Sequence, residues 1–328
     1  MKVLVIGGTL FIGKRLVRRL LEEGHEVSVL HRREGHTYGA EVGNLVADRN
    51  DAESVQRAIG GQRFDWVFDN VYDWEQGTTS VQVEATARAC GPGIQRYVFM
   101  SSCAVYGPGL DLTEDAPLVP DDSPELYAAH KAASERALLR MHAEDGFPAV
   151  TLRPPFVYGP ENPFYREQFF WDRMREGRSI IVPGDGSRLM HLVYVNDLAE
   201  VCLRAAGRDE AVGEAFNVGH HRPITQLSLV QALGAAAGME PDTVLVPRAE
   251  IQAAGGEVIG ENLYFGVYYD MPSITQDMGK TGRLLGLTPT EFEAGLNDSY
   301  EWYLANHARP DLDYTFEDRL LAGRVDGG

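Results

Sequence analysis

The 328-residue sequence is poor in cysteine, holding Cys90, Cys103 and Cys202 alone. An odd count, with no pair at metal-ligand or redox spacing, excludes a disulfide framework and a cysteine-rich zinc site. It points to a reducing compartment. Lysine is almost as scarce, at Lys2, Lys14, Lys131 and Lys280. Positive charge is short overall: 30 Lys and Arg stand against 48 Asp and Glu, a formal net charge of −18. Such a surface repels phosphate backbones, so no nucleic-acid partner is expected. Long apolar runs are also missing. Nothing approaches the ~20 residues of a membrane span. The N-terminal apolar run has no small-residue cleavage site and leads directly into Lys14 and Arg15, unlike a secretion signal. A cytoplasmic protein with no membrane partner is expected. The histidines show no metal spacing, so no metal is expected either.

What is present is a globular composition, 44% hydrophobic and 9% aromatic. The length suits two domains, or one large α/β domain with an added lobe. In the first half, short Val/Ile/Leu runs alternate with amphipathic stretches. The runs predict strands at Lys2–Ile6, Val27–Leu30, Leu45–Ala47, Trp66–Phe68, Tyr97–Met100 and Val150–Leu152. The amphipathic stretches predict helices beginning near Ile12, at Asp51–Ile59, at Thr78–Ala89, and at Pro124–Glu144 with Ser123 as N-cap. This alternation predicts an α/β fold, a doubly wound parallel Rossmann-type sheet. Beyond residue 153 the texture becomes Pro- and Gly-rich and mixed, which predicts a smaller mixed α/β substrate lobe. The expected division is 1–153 with segments near 187–220 for the nucleotide-binding sheet, and 154–186 with 221–306 for the lobe. Residues 307–328 are expected to form a loosely packed tail.

Chemistry concentrates at the ends of the strands. Gly7-Gly8-Thr9-Leu10-Phe11-Ile12-Gly13 lies between a predicted strand and a predicted helix, the setting of a dinucleotide phosphate loop. Its spacing is not G-x-G-x-x-G. Gly7 is expected to make the tight turn, Gly8 to let backbone N–H groups approach a pyrophosphate, and Gly13 to let the helix lie close to the strand. The second strand ends in His31-Arg32-Arg33 rather than in a carboxylate. Guanidinium groups there suit a 2′-phosphate, so NADP is favoured over NAD.

Tyr127 and Lys131 stand four apart on a predicted helix and so share a face. A nearby ammonium favours the phenolate, which makes Tyr127 usable as a general acid or base. Ser102 follows the fifth strand, at the carboxyl edge where ligands bind in such sheets. Its hydroxyl suits a carbonyl or alkoxide oxygen. The aromatic run Phe164–Trp171 reads as core rather than as a pocket lining.

With Ser101-Ser-Cys-Ala-Val-Tyr-Gly107, Arg153-Pro-Pro-Phe-Val-Tyr-Gly-Pro160 and Pro183-Gly-Asp-Gly186, these motifs resemble the extended short-chain dehydrogenase/reductases, the NAD(P)-dependent epimerase/dehydratase group, from Met1 to about Asn306. The resemblance implies Ser102, Tyr127 and Lys131 as the catalytic set. It implies Asp48 as an adenine contact, Asn70 near a ribose, and Phe156 and Val157 beside the nicotinamide. Arg49 and Pro154 complete the cofactor candidates; Cys103, Asn162 and Arg188 stand as substrate candidates. It also implies a homodimer through the helices near Thr78–Ala89 and Pro124–Glu144. Gly-Gly-Thr-x-Phe-Ile-Gly, with Leu10 for the usual middle glycine, is similar to an atypical branch that includes the chloroplast stem-loop-binding proteins. Cys103 and Ala104 replace the Asp-Glu pair of nucleotide-sugar dehydratases, and Met190 falls where sugar-nucleotide epimerases carry an Arg. The expected activity is that of an epimerase or oxidoreductase on a sugar-like or other small hydroxyl or carbonyl compound. An RNA-binding protein or a cofactor-sensing regulator on the same fold are the alternatives.

Overall fold

The computed structural model describes residues 1–308 and 311–322. In chain order the elements begin β1 (Lys2–Ile6), α1 (Phe11–Glu22), β2 (Glu26–His31), β3 (Val42–Val46), α2 (Ala52–Ile59), β4 (Trp66–Asp69), α3 (Ser80–Ala89), β5 (Arg96–Met100), β6 (Gly109–Leu112), α4 (Leu126–Asp145) and β7 (Ala149–Arg153). They continue with β8 (Phe156–Tyr158), α5 (Glu167–Arg175), β9 (Ile180–Pro183), β10 (Leu189–Met190), β11 (Leu192–Tyr194), α6 (Val195–Ala206), β12 (Ala215–Asn217), β13 (Ile224–Thr225), α7 (Gln226–Ala237), β14 (Thr243–Val246), α8 (Arg248–Ala253), β15 (Ile274–Gln276), α9 (Gly279–Leu285), α10 (Phe292–Asn306) and α11 (Thr315–Leu321).

The chain divides into two compact units. The first comprises residues 1–157, 192–221 and 274–289. Its centre is a seven-stranded parallel sheet in the order β12-β7-β5-β4-β1-β2-β3. The α/β, doubly wound reading of the sequence holds. Strands β1, β4, β5 and β7 are buried on both faces, because α1 packs with α6 while α2, α3 and α4 pack side by side. Leu4, Ile6, Val67, Val83, Leu138 and Met141 fill one core of this unit. The order reverses between β1 and β4, so the loops after these two strands flank a switch-point crevice.

The second unit comprises residues 158–191, 222–273 and 290–328. Here α5 is almost wholly buried: Phe169, Phe170 and Trp171 are core residues, and Trp171 Nε1 donates to the Leu233 carbonyl at 3.0 Å. Asp172 accepts from Tyr165 Oη at 2.7 Å and Tyr303 Oη at 2.6 Å.

Several boundaries differ from expectation for local reasons. Helix α4 starts at Leu126, and Ser123 does not cap it: the Ser123 hydroxyl accepts the Glu125 N–H instead, at 3.3 Å, holding a turn. Helix α5 starts only at Glu167, within the aromatic run, because Asn162 Oδ1 takes the Phe164 N–H in a turn where Glu161 has φ 68°. The edge strand β3 is longer than its apolar stretch suggests, since only one of its faces is covered. The tail is not uniformly loose. Helix α11 buries Phe316 and Leu321, and Glu317 receives Arg173 Nη2 at 2.5 Å. Residues 323–328 lie outside the described part. Among the described residues no helix is long and apolar enough to cross a membrane.

Candidate active site

The phosphate loop leaves β1 at the switch point. Gly7 has φ 81°, a region glycine enters without strain. A Cβ on Gly13 would stand 2.0 Å from the Gly7 carbonyl oxygen, so the first turn of α1 closes against the loop only with glycine there. Gly8 is also required by packing: a Cβ on it would meet Val29 Cγ1 at 2.6 Å, so the loop lies close against β2. Phe11 opens the helix at φ 34°, a bulky residue in a strained region. Leu10 is the N-cap and is exposed; it makes no side-chain cap, and the first turn carries no acidic residue. The N–H groups of this turn therefore meet no competing carboxylate, which suits an anion. Thr9 and Ile12 are half-buried beside them.

The remaining cofactor candidates fall into two groups. His31 ends β2 with Nε2 at 2.6 Å from Asn44 Oδ1, while its Nδ1 is buried without a hydrogen-bond partner. Arg32 and Arg33 follow and are exposed, and Arg32 Nη1 lies 3.4 Å from Asp73 Oδ2. Asp48 is half-buried and accepts the Asn50 N–H at 2.9 Å. Asn70, after β4, presents a buried Nδ2 with no partner. Pro154 is buried, its carbonyl accepting the Cys103 N–H at 2.9 Å; Phe156 is half-buried and Val157 buried on the short strand that follows. Arg49 departs from expectation. Its guanidinium is internal, donating to Asp69 at 2.5 Å, the Gln82 carbonyl at 2.6 Å and Thr86 Oγ1 at 2.6 Å. Tyr97 Oη joins the same carboxylate at 2.7 Å. The Arg49 side chain braces the end of β4 and is not a cofactor ligand.

Ser102 leaves β5 in extended conformation and starts a short 3-10 turn, its hydroxyl accepting the Ala104 N–H at a long 3.2 Å. Tyr127 and Lys131 occupy the first turns of α4. Lys131 is buried and donates to the carbonyl of Met100, the last residue of β5, at 2.6 Å. Burial pushes its ammonium down to about 8, opposed by Asp69, reinforced by Arg49 and opposed again by Glu135. Nζ also stands 4.8 Å from the Phe99 ring centre and 5.6 Å from that of Tyr72. Tyr127 sits in an aromatic cluster. Trp74 stacks on it with centroids 4.8 Å apart and planes 20° apart, and Tyr72 meets it edge-on at 4.8 Å and 90°. The Tyr72 hydroxyl reaches His130 Nδ1 at 3.0 Å, and burial, with Asp73, raises its pKa above the ordinary value.

The model of the NAD dependent epimerase/dehydratase family matches residues 3–219. The chain belongs to this family. It is an NAD(P)-dependent enzyme. The chain is 28% identical over 347 residues to the chloroplast stem-loop binding protein of 41 kDa b of Arabidopsis thaliana, covering 99% of this chain and 85% of that protein. To the 2-alkyl-3-oxoalkanoate reductase of Stenotrophomonas maltophilia it is 29% identical, covering 96% and 94%. Among solved structures, the UDP-glucose 4-epimerase of Thermus thermophilus in complex with NAD superposes with TM-score 0.72 at 26% identity, over 93% of this chain and all of that one. A Thermotoga maritima UDP-glucose 4-epimerase shares the fold at TM-score 0.76 and 22% identity, over 94% of this chain and all of that one.

A nicotinamide dinucleotide is thus this epimerase/dehydratase family member's cofactor class, and the residues present fit it. The glycine-only approach of Gly13 to Gly7, the uncapped first turn of α1, and the unpartnered Asn70 Nδ2 and His31 Nδ1 are all features that a bound dinucleotide would use.

The substrate candidates fare less evenly. Cys103 is half-buried beside Ser102, and burial pushes its thiol up to about 12, so it is neutral. Asn162 is buried, with Nδ2 donating to Glu167 at 2.9 Å and Oδ1 accepting from Phe164; its amide is committed to the fold. Arg188 is held by Asp270 at 2.7 Å, a carboxylate that Arg248 and Tyr264 also reach. Neither is a free substrate ligand.

Sequence reasoning passed over two features. One is the pair Tyr72 and Trp74, whose signal was aromatic spacing straight after the fourth strand. The other is the buried pair of Glu135 and Arg153. Glu135 lies one turn beyond Lys131 and receives Arg153 Nε at 3.0 Å on each oxygen, Arg153 Nη2 at 2.5 Å, and the Ser101 hydroxyl. Arg153 Nη1 also donates to Tyr106 Oη at 2.7 Å and the Glu114 carbonyl at 3.0 Å. This network joins the neighbour of Ser102, the helix of Lys131 and the end of β7.

Proposed function

We propose that the chain interconverts a secondary alcohol and the corresponding ketone, as an epimerase or oxidoreductase on a sugar-like or other small hydroxyl or carbonyl compound, with NADP preferred over NAD. What supports the reading is that Ser102 follows β5 while Lys131, one turn after Tyr127 on α4, reaches back to the same strand end. That end lies on the carboxyl edge that also bears the phosphate loop. When bound, the nicotinamide supplies or accepts hydride at the carbinol carbon. Tyr127 gives or takes the proton on the oxygen. Lys131 places a positive charge beside Tyr127 and favours its phenolate. Ser102 donates to the substrate oxygen and fixes its orientation. The second unit is read as the substrate lobe, and a homodimer through α3 and α4 follows from the family resemblance.

Mass analysis of the dinucleotide released on denaturing the purified protein tests the assignment. Retained NADP(H) or NAD(H), or tight binding on titration, is expected. A protein that neither retains nor binds either one overturns the reading. Relatives include a stem-loop binding protein, and nucleic-acid affinity with a steep salt dependence would favour that role instead. The formal charge of −18 and the intact catalytic set speak for the enzyme.

Two further outcomes follow. Arg32 and Arg33 are exposed at the end of β2, where an adenosine 2′-phosphate would be read. Replacing both with Ala is expected to weaken NADP(H) binding about 10- to 100-fold and leave NAD(H) within about threefold, as for loss of charge-assisted hydrogen bonds. Competitive fluorescence titrations with NADPH and NADH measure the ratio.

The lowered pKa of Lys131 also sets a pH dependence. Above about 8 its ammonium loses its proton, so kcat/KM is expected to fall about tenfold per pH unit there. In Lys131→Arg that limb moves beyond the accessible range, because guanidinium does not deprotonate. The effect on stability has the opposite sense. Between about 8 and the ordinary lysine value the unfolded chain binds the extra proton, so this group's contribution to unfolding free energy rises with pH across that window. A pH–rate profile and urea titrations at pH 7.5 and 9.5 check the two.

A further inference from the structure

The turn after β4 holds Trp74 in one place. Asp73 Oδ1 accepts the N–H groups of Glu75 and Gln76, both at 2.9 Å. The Asp73 N–H donates to Thr78 Oγ1 at 3.0 Å, and the Gly77 N–H donates to the Asp73 carbonyl at 2.9 Å. A tryptophan on so fixed a turn would ordinarily be covered, yet Trp74 is 58% exposed while lying flat on Tyr127. Leu126, the neighbour of Tyr127 in the chain, is 65% exposed. Exposed apolar groups gathered around the Tyr127 ring suit contact with an apolar ligand.

The polar side of the same site is thin. The residues that follow Ser102 are Cys103, a neutral thiol, and Ala104.

We infer that Trp74 is the specificity-determining residue of this site, and that it binds the aryl or alkyl frame of an apolar ketone or secondary alcohol rather than a nucleotide sugar. This rests on the proposed alcohol–ketone chemistry at Tyr127 and names its substrate class. A substrate oxygen bonded to the Tyr127 hydroxyl leaves its carbon frame next to the Trp74 ring, which offers a broad apolar face and no charge. Tyr72, edge-on to Tyr127, fixes the other side of the stack.

Ligand-observed NMR and NADPH oxidation test the inference with 4-phenyl-2-butanone and 2-octanone as probes and UDP-glucose as the competitor. Saturation transfer to both ketones is expected in the presence of NADPH, and none to UDP-glucose. Trp74→Ala should raise the apparent Kd and KM for the ketones about tenfold or more with kcat changed less than threefold. Trp74→Phe should stay within about threefold of wild type, since a ring remains. NADPH affinity unchanged in both variants shows that the fold is kept. Absence of ketone binding, equal binding in Trp74→Ala, or preferential binding of UDP-glucose each overturns the inference. Tyr127→Phe separates it from the chemistry beneath it. Ketone binding retained with turnover lost upholds both, whereas turnover retained in that variant removes the role of Tyr127 and leaves Trp74 as a binding residue.

Discussion

Tyr127→Phe is expected to lower turnover about 10²- to 10⁴-fold, the range for a positioned acid–base group, or roughly 2.7–5.5 kcal/mol of barrier. The fold and dinucleotide affinity should be unchanged, because the ring that stacks under Trp74 and meets the edge of Tyr72 is kept and only the hydroxyl is removed. The loss should appear in kcat and in kcat/KM to the same extent, as for an interaction made in the transition state alone. Single-turnover kinetics with NADPH, beside a dinucleotide titration, measure both. Undiminished turnover would remove Tyr127 from the chemistry.

The second large effect is on stability. Glu135→Ala is expected to cost about 3–5 kcal/mol, because it strands the Arg153 guanidinium inside the protein. Arg153 is 3% exposed and Glu135 is fully buried, so no water replaces the lost carboxylate. A domain of ordinary stability has about 5–15 kcal/mol in total, so the urea midpoint should drop sharply. Replacing both partners together, Glu135→Leu with Arg153→Met, should cost less than Glu135→Ala alone, since no charge is left buried. A double variant as unstable as the sum of the single ones would show that the pair acts through packing rather than through charge.

Much of this could be read in the sequence because the relevant signals are local. Parallel strands buried on both faces announce themselves as short apolar runs, so β1, β4, β5 and β7 were legible, as were the phosphate loop and the Tyr127–Lys131 spacing. The edge strand β3 was cut short in that reading because half of its residues face solvent and carry no apolar signature. The start of α4 was misplaced because Ser123 has a cap's chemistry and uses it on a turn. Long-range partners were invisible. Arg49 and Asp69 lie 20 positions apart, and Arg173 and Glu317 lie 144 apart. Nothing near Arg49 in the chain says that its guanidinium points inward. The closeness of Gly8 to Val29 is likewise a contact between separate elements, which sequence order does not display. Trp74 belongs to this class too, since its stacking partner is more than fifty residues away.

The seven strands of the main sheet all run the same way, so Ile6, His31, Asp69, Met100 and Arg153 finish on a single rim of it. Below that rim lies a largely apolar core, and above it lie the loops that carry Trp74 and Arg32. Trp74 and Arg32 sit on two different loops, and neither belongs to the apolar core beneath. On the roles proposed above, the residue that would choose the reactant and the one that would choose the dinucleotide can each be replaced without disturbing the packing that forms the fold. A chain built this way is a practical starting scaffold for redesigning what it acts on.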